Sequence, residues 1–138
     1  MHLSLLFVSD SRIAPAARSR ELARIVDSTL RNNGWLHLSG ALVCSRSRFC
    51  QLIEGPDASV QLMMRRIAAD PRHGNLRTVR VEWREERRIG GWRLAYSGVS
   101  HFVDRVIGEA ATAAPGAPDQ AARIDLLLAL LAGDDRPC

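Results

Sequence analysis

Lysine is absent from this chain of 138 residues; all 19 of its basic residues are arginine. They are scattered rather than run together, which points to coding bias more than to an anion-binding tract, despite a formal net charge of +4. Aromatic residues make up only 5% of the sequence and are not interleaved with the arginines. The stacking platform that a nucleic-acid partner needs is therefore missing. Tyrosine occurs once, as Tyr96. Cys44, Cys50 and Cys138 are an odd number of thiols without metal-ligand spacing, which implies no metal site and reduced cysteines in the cytoplasm. The apolar opening Leu3–Val8 lacks a basic leader and is too short for a signal peptide. The run from Ile124 to Ala132 is too short to cross a bilayer, so no membrane partner is expected. No glycine-rich loop precedes a helix to cradle phosphate, and no nucleophile stands with a supported base, which argues against an enzyme.

What is present suits one soluble domain with a short appendage: 46% hydrophobic and 25% charged residues. Leu3–Val8 reads as a first strand, with Leu3, Leu5 and Phe7 on one face. Leu22, Ile25, Val26, Thr29 and Leu30 recur at helical spacing, with Ser19 as the expected N-cap and Gly34 as the expected stop. Trp35–Cys44 and Phe49–Gly55 read as strands joined by a hairpin-length link. Val60, Met63, Met64, Ile67 and Ala68 mark a second amphipathic helix that ends near Asp70-Pro71, its methionines simple core filler. Leu76–Arg84 alternates, with Val79, Val81 and Trp83 facing one way. Glu85-Glu86-Arg87-Arg88 reads as a solvated connection, and Trp92, Leu94 and Tyr96 share one face of a short fifth strand.

This order, β-α-β-β-α-β-β, is a split βαβ arrangement of the ferredoxin-like α+β kind, with two helices on one sheet face. Residues 1–98 would form that domain and 99–138 a helical extension. Within the extension, Phe102, Val103, Val106 and Ile107 suggest a short helix, and Glu109–Pro118 a linker. Asp119 would cap a helix over Gln120–Ala132. Its stripe Ile124, Leu127, Leu128 and Leu131 must bury itself on the other sheet face or against another subunit.

Two amides sit where apolar side chains are expected. Strand alternation puts Phe49, Gln51 and Ile53 on one face, so Gln51 lies between hydrophobes on the buried side. A buried amide without partners costs about 1–3 kcal/mol. Asn33 falls eleven residues after Leu22, on nearly the same helical bearing, and points toward the sheet. Each has a plain structural reading: Gln51 as a core amide bonded to backbone, Asn33 as a helix terminator.

Arg31-Asn32-Asn33, Leu38-Ser39-Gly40, the run Phe49-Cys50-Gln51-Leu52-Ile53-Glu54-Gly55, Asp70-Pro71-Arg72-His73 and Trp92 together resemble the BLUF family of flavin-binding blue-light sensors, over about Leu3 to Tyr96. The resemblance implies a flavin between the two helices, usually FAD, with FMN or riboflavin as alternatives. It implies that Asn33 bonds the C4 carbonyl and N3–H edge, that Gln51 sits by N5 and the C4 carbonyl, and that Arg72 approaches the C2 carbonyl. His73 lies near the ring, Asn32 and Arg66 support the pocket, and Ile25 and Ile53 pack on the ring faces.

Two departures stand out. The family carries a tyrosine where this chain has Phe7; that phenol bonds the glutamine and, after excitation, gives the flavin an electron and a proton. The family also carries methionine where this chain has Leu94, so Gln51 loses an acceptor there. Trp92 remains as an electron donor. The expectation is a flavin-binding photoreceptor domain with impaired switching. It would signal through an unidentified protein partner or a change of homo-oligomer, the striped tail being the output element. The rival is a flavin-free ferredoxin-like interaction module in which Asn33, Gln51 and Arg72 are relics. An acyl phosphate hydrolase that pairs Arg72 with Asn33 is a weaker one.

Overall fold

The computed structural model describes residues 1–98, 100–113 and 118–132. Cys138 and the packing of Leu131 lie outside the described residues. In chain order the elements are β1 (His2–Ser11), α1 (Arg18–Leu36), β2 (Ser39–Cys44), β3 (Arg48–Gly55), α2 (Asp57–Ala69), β4 (His73–Arg84), β5 (Trp92–Ser97), α3 (His101–Thr112) and α4 (Pro118–Ala132). The strands form one sheet in the order β4-β1-β3-β2-β5. Neighbours are antiparallel except β2 and β5, which run parallel. Because β3 lies between β1 and β2 and opposes both, those two are parallel to each other, which is the split βαβ arrangement of a ferredoxin-like α+β fold.

Period-two alternation divides the apolar side chains between two layers. Leu3, Leu5, Phe7 and Ile53 pack with Val60 and Met63 of α2, while Leu42, Cys44 and Phe49 pack with Leu22 of α1. On the opposite face Leu6, Val8, Ala41, Val43, Cys50 and Leu52 meet Val103, Ile107 and Ala110 of α3 and Ile124, Leu127 and Leu128 of α4. The C-terminal helices thus cover the far side of the sheet, and Ile124, Leu127 and Leu128 of the stripe are buried within this chain. Each fully buried side chain of this size removes enough apolar surface to contribute about 1.5–3 kcal/mol.

Several local expectations are corrected. Ser19 is not the cap of α1. A 3-10 turn at Pro15–Ala17 feeds the chain straight into the helix, whose N-cap is Ala17 without a side-chain bond. Gly34 does not stop α1 either. The helix runs to Leu36 and closes at His37, which is left-handed (φ 56°) and gives its N–H to the Asn33 carbonyl. A glycine inside a helix costs only about 1 kcal/mol, and Leu36 packs against the layer under α2, which holds the last turn in place. Trp35, expected in a strand, is therefore helical and 87% exposed.

Bulges overturn two facings. The register slips between Leu6 and Phe7, where Leu6 pairs with Arg80 but Phe7 with Thr78. The intervening Val79 turns to the α3/α4 layer while Val81 and Trp83 stay on the other face, more than half exposed. A second slip between Leu42 and Val43 pairs Val43 with Tyr96, so Tyr96 leaves the face of Trp92 and Leu94 and packs in the α3/α4 layer.

The charge run after β4 is not solvated throughout. Arg87 donates to Ser39 Oγ (2.8 Å) and to the carbonyls of Glu54 (2.9 Å) and His37 (2.7 Å). The fully buried Glu54 accepts the Arg88 and Ile89 backbone N–H groups through Oε1. At the C-terminal end, Glu109 to Thr112 belong to α3 rather than to a linker, and Asp119 stands in the first turn of α4 instead of before it. No helix among the described residues is long and apolar enough to cross a membrane.

Candidate functional site

α1 packs through Leu22 on β2, β3 and β5, whereas α2 rests on β1, β3 and β4. A slot remains between the two helices, with β3 as its floor. It is lined by Ile25, Ser28, Thr29 and Asn32 of α1, by Met63, Arg66 and Ile67 of α2, by Gln51, and by Asp70, Arg72 and His73 at the start of β4. Six residues singled out from the sequence therefore meet in one cavity: Ile25, Asn32, Gln51, Arg66, Arg72 and His73. Ser28, which the sequence reading passed over, and Thr29, read there only as part of the helical stripe, precede Asn32 by one helical turn, and that spacing was the available signal. Asp70 was quoted only as part of a segment; its role comes from the contacts below.

Gln51 sits centrally on β3, directly across from Phe7 on β1 and Leu42 on β2. Its side chain is 7% exposed, yet among the described residues it makes no hydrogen bond. Neither cross-strand neighbour carries a polar atom in its side chain, so its amide has only the slot to address. Asn33 is buried on the inner face of α1, outside the slot lining. Asn32 Nδ2 reaches Ser28 Oγ at 3.3 Å.

Arg72 is held by Asp70: Nε lies 3.0 Å from both carboxylate oxygens and Nη2 2.6 Å from one of them. Its Nη1 stands 3.6 Å from Glu21 of α1, so one guanidinium ties the start of β4 to α1. Burial works to raise the Asp70 carboxyl, but the side-chain and backbone hydrogen bonds from Arg72 overcome it and hold the group below the usual range. His73 Nδ1 is 2.7 Å from Ser9 Oγ. Its ring lies 4.6 Å from that of Phe49 and meets Phe7 edge-on at 6.0 Å. Burial pushes its pKa down, more than Asp70 raises it, so the ring is neutral near pH 7.

The remaining expected residues lie around the slot rather than in it. Phe7 is wholly buried on β1 beside Gln51, and Ile53 is buried beside Leu5 and Met63. Trp92 packs against Leu22, Leu42 and Phe49 on the same sheet face, and its indole Nε1 is buried without an acceptor among the described residues. Leu94 pairs with Leu42, which places it two strands from Gln51, and it lines a separate open groove with Leu22, Val26 and Leu30. The two buried thiols carry no reactivity here: burial pushes Cys44 and Cys50 up to about 12.

The amides of Gln51 and Asn32 and the Arg72 guanidinium line the slot and offer the donors and acceptors that the rim of a flat heterocycle such as a flavin calls for, with the buried Asn33 and Trp92 outside the lining. The slot encloses about 110 Å³, below the roughly 300–1,000 Å³ usual for ligand pockets. A tricyclic ring therefore enters only if α1 and α2 part.

The chain spans less than a fifth of the curated relative it matches, the blue light- and temperature-regulated antirepressor BluF of Escherichia coli strain K12. The two are 32% identical over 71 residues, 51% of this chain and 18% of the relative. Among solved structures, BlsA in its photo-activated state superposes with a TM-score of 0.76 at 17% identity, covering 100% of this chain and 99% of the other. BlrB in its dark state gives 0.72 at 24% identity, covering 94% and 96%. At such identities these likenesses show the fold. A family model described as sensors of blue light using FAD matches residues 3–95, well over half of the sequence, and the chain belongs to that family, BLUF.

Proposed function

We propose that this domain binds FAD in the slot between α1 and α2 and that its light switch is disabled or rewired at Phe7. The observation that carries the proposal is the pairing of Phe7 with Gln51, together with the placement of Tyr96 on the opposite sheet face. Asn33, Gln51 and Arg72 would hold the rim of the ring, with Asn32, Arg66 and His73 beside it and Ile25 and Ile53 against its faces. When bound, the flavin supplies blue-light absorption and a site for an incoming electron. Phe7 can neither accept a hydrogen bond from the Gln51 amide nor deliver a proton to the slot. Gln51 thus has no phenol to fix one amide orientation over the other. Leu94 cannot take that place, since it stands two strands away and offers no acceptor. Trp92 retains an indole that can donate an electron and a hydrogen bond, but it gives up its proton far less readily than a phenol.

The test is an absorbance spectrum of the purified protein before and after a pulse of blue light. The expected result is a flavin spectrum with no long-lived red-shifted form; a reversible red shift of the family kind would refute the disabled switch. If short-lived radicals form, Trp92→Phe should abolish them.

The small volume of the slot favours one second reading, a flavin-free interaction module, which would leave the protein colourless even after FAD is added. In either case the output is read as passing to a partner protein or to a change of assembly in the cytoplasm. The Escherichia coli relative is named as an antirepressor. α4, packed on the far face of the sheet, is the element best placed to change.

A further inference from the structure

A carboxylate on α1 reaches across one end of the slot. Glu21 lies one helical turn before Ile25, on the stripe that continues through Ser28, Thr29 and Asn32 of the lining. Two of its partners belong to its own helix: Arg24 Nη1 stands 3.2 Å and Arg20 Nε 3.9 Å from Oε1. Both arginines are largely exposed and add little. The third partner comes from another element. Glu21 Oε2 is 3.6 Å from Arg72 Nη1, and the two side chains are only 20% and 28% exposed. Asp70 already occupies Nε and Nη2 of that guanidinium, so Nη1 is the arm left over. At 3.6 Å Glu21 attracts it without completing a hydrogen bond. Among the described residues Nη1 has no acceptor at hydrogen-bond distance.

We infer that Glu21 is a latch on the slot: through Arg72 it draws α1 onto the start of β4, and a planar ligand that accepts from Nη1 must displace it to enter. The inference rests on the reading of the slot as a flavin site, where a ring carbonyl is the competing acceptor. The tie joins the two walls. Glu21 belongs to α1, while Arg72 follows the end of α2 at Ala69 and is fixed there by Asp70. Parting the helices far enough for a tricyclic ring therefore stretches the Glu21–Arg72 pair. The charge of Glu21 works against the ligand, so a neutral isostere should raise affinity. Salt acts in the same direction, because a partly exposed ion pair weakens as it is screened. A contact that merely supported the pocket would have the opposite sign, since its loss weakens binding.

The experiment is a titration of the full chain, freed of flavin, with riboflavin, which is uncharged and leaves salt to act on the protein. Glu21→Gln is expected to bind it about two- to fivefold more tightly than wild type at low salt, the range for a partly exposed pair. Raising the salt from about 0.01 M to about 1 M should tighten wild type toward the variant and leave the variant unchanged. A second measurement needs no flavin. Spin labels on Ala23→Cys and Arg65→Cys, at exposed positions of α1 and α2, report the gap between the helices in a Cys138→Ser background. Glu21→Gln should shift that distance to longer values. A gap that opens in a protein that never takes up riboflavin would uphold the latch and sink the flavin reading alone. Riboflavin bound equally by both proteins or more weakly by Glu21→Gln, or a gap indifferent to the substitution, would overturn the latch.

Discussion

Restoring the missing phenol is the sharpest test of the site. Phe7→Tyr adds one hydroxyl to a ring that is 0% exposed, opposite Gln51 in the β1–β3 ladder, with the His73 ring centred 6.0 Å away. A hydroxyl buried there without a partner costs about 1–3 kcal/mol, whereas one bonded to an amide gains about 0.5–1.5 kcal/mol net. If Gln51 receives the new hydroxyl, the variant unfolds in urea within about 1 kcal/mol of wild type. Phe7→Tyr combined with Gln51→Leu then loses about 1–3 kcal/mol relative to Gln51→Leu alone, since the phenol is stranded; the double-mutant cycle isolates that pair. The functional readout is absorbance: Phe7→Tyr loaded with FAD should acquire a light-induced red shift that outlasts the pulse and recovers in the dark, and Gln51→Leu should remove it. A Phe7→Tyr protein that carries FAD, is stable and still shows no lasting shift would refute the argument that Phe7 alone disables the switch. A coupling energy near zero would show that the two side chains do not meet.

Other outcomes follow from the same structure. Gly34→Ala should stabilise the protein by about 0.5–1 kcal/mol in denaturant titration, because Gly34 is inside α1 and a Cβ there meets nothing within 4 Å. Gly40→Ala should abolish soluble expression or cost more than about 4 kcal/mol: its φ is +152° and a Cβ would fall 1.8 Å from the Leu52 carbonyl oxygen. Stability should also depend on pH through His73. Burial depresses its folded pKa below the unfolded value of about 6.5, so the unfolded chain binds the extra proton first. Stability is then full above that pH, falls as pH drops below it, and levels off under the folded value. In thermal melts from pH 8 to about 5, His73→Gln should flatten that fall; an unchanged profile would exclude His73 as its source.

The strand and helix order was legible because its periodicities are strong: the β1 face Leu3, Leu5, Phe7, the α2 stripe, and the α4 stripe that had to find cover. The inward aim of Asn33 and Gln51 was legible too, since each interrupts an apolar pattern at a fixed angle. What periodicity could not reveal were the bulges. At Val79, and again beside Tyr96, one extra residue turns the following side chains to the other face, and no composition cue marks either place. The end of α1 was misread for a related reason. Gly34 is a strong local stop signal, but the packing of the half-buried Leu36 is a tertiary effect that outweighs it. The Asp70–Arg72 pair was hidden because the two lie only two residues apart across a turn, a spacing shared with many surface pairs of no consequence.

The sheet keeps its two apolar layers apart. Side chains that floor the slot and side chains that seat α3 and α4 belong to different buried clusters, separated by the thickness of the backbone. Any event beneath α1 and α2 therefore reaches the C-terminal helices as movement of the strands themselves, not by one side chain pushing another. Val79 and Tyr96, turned through the plane by the two register slips, are the points where such a mechanical message would surface.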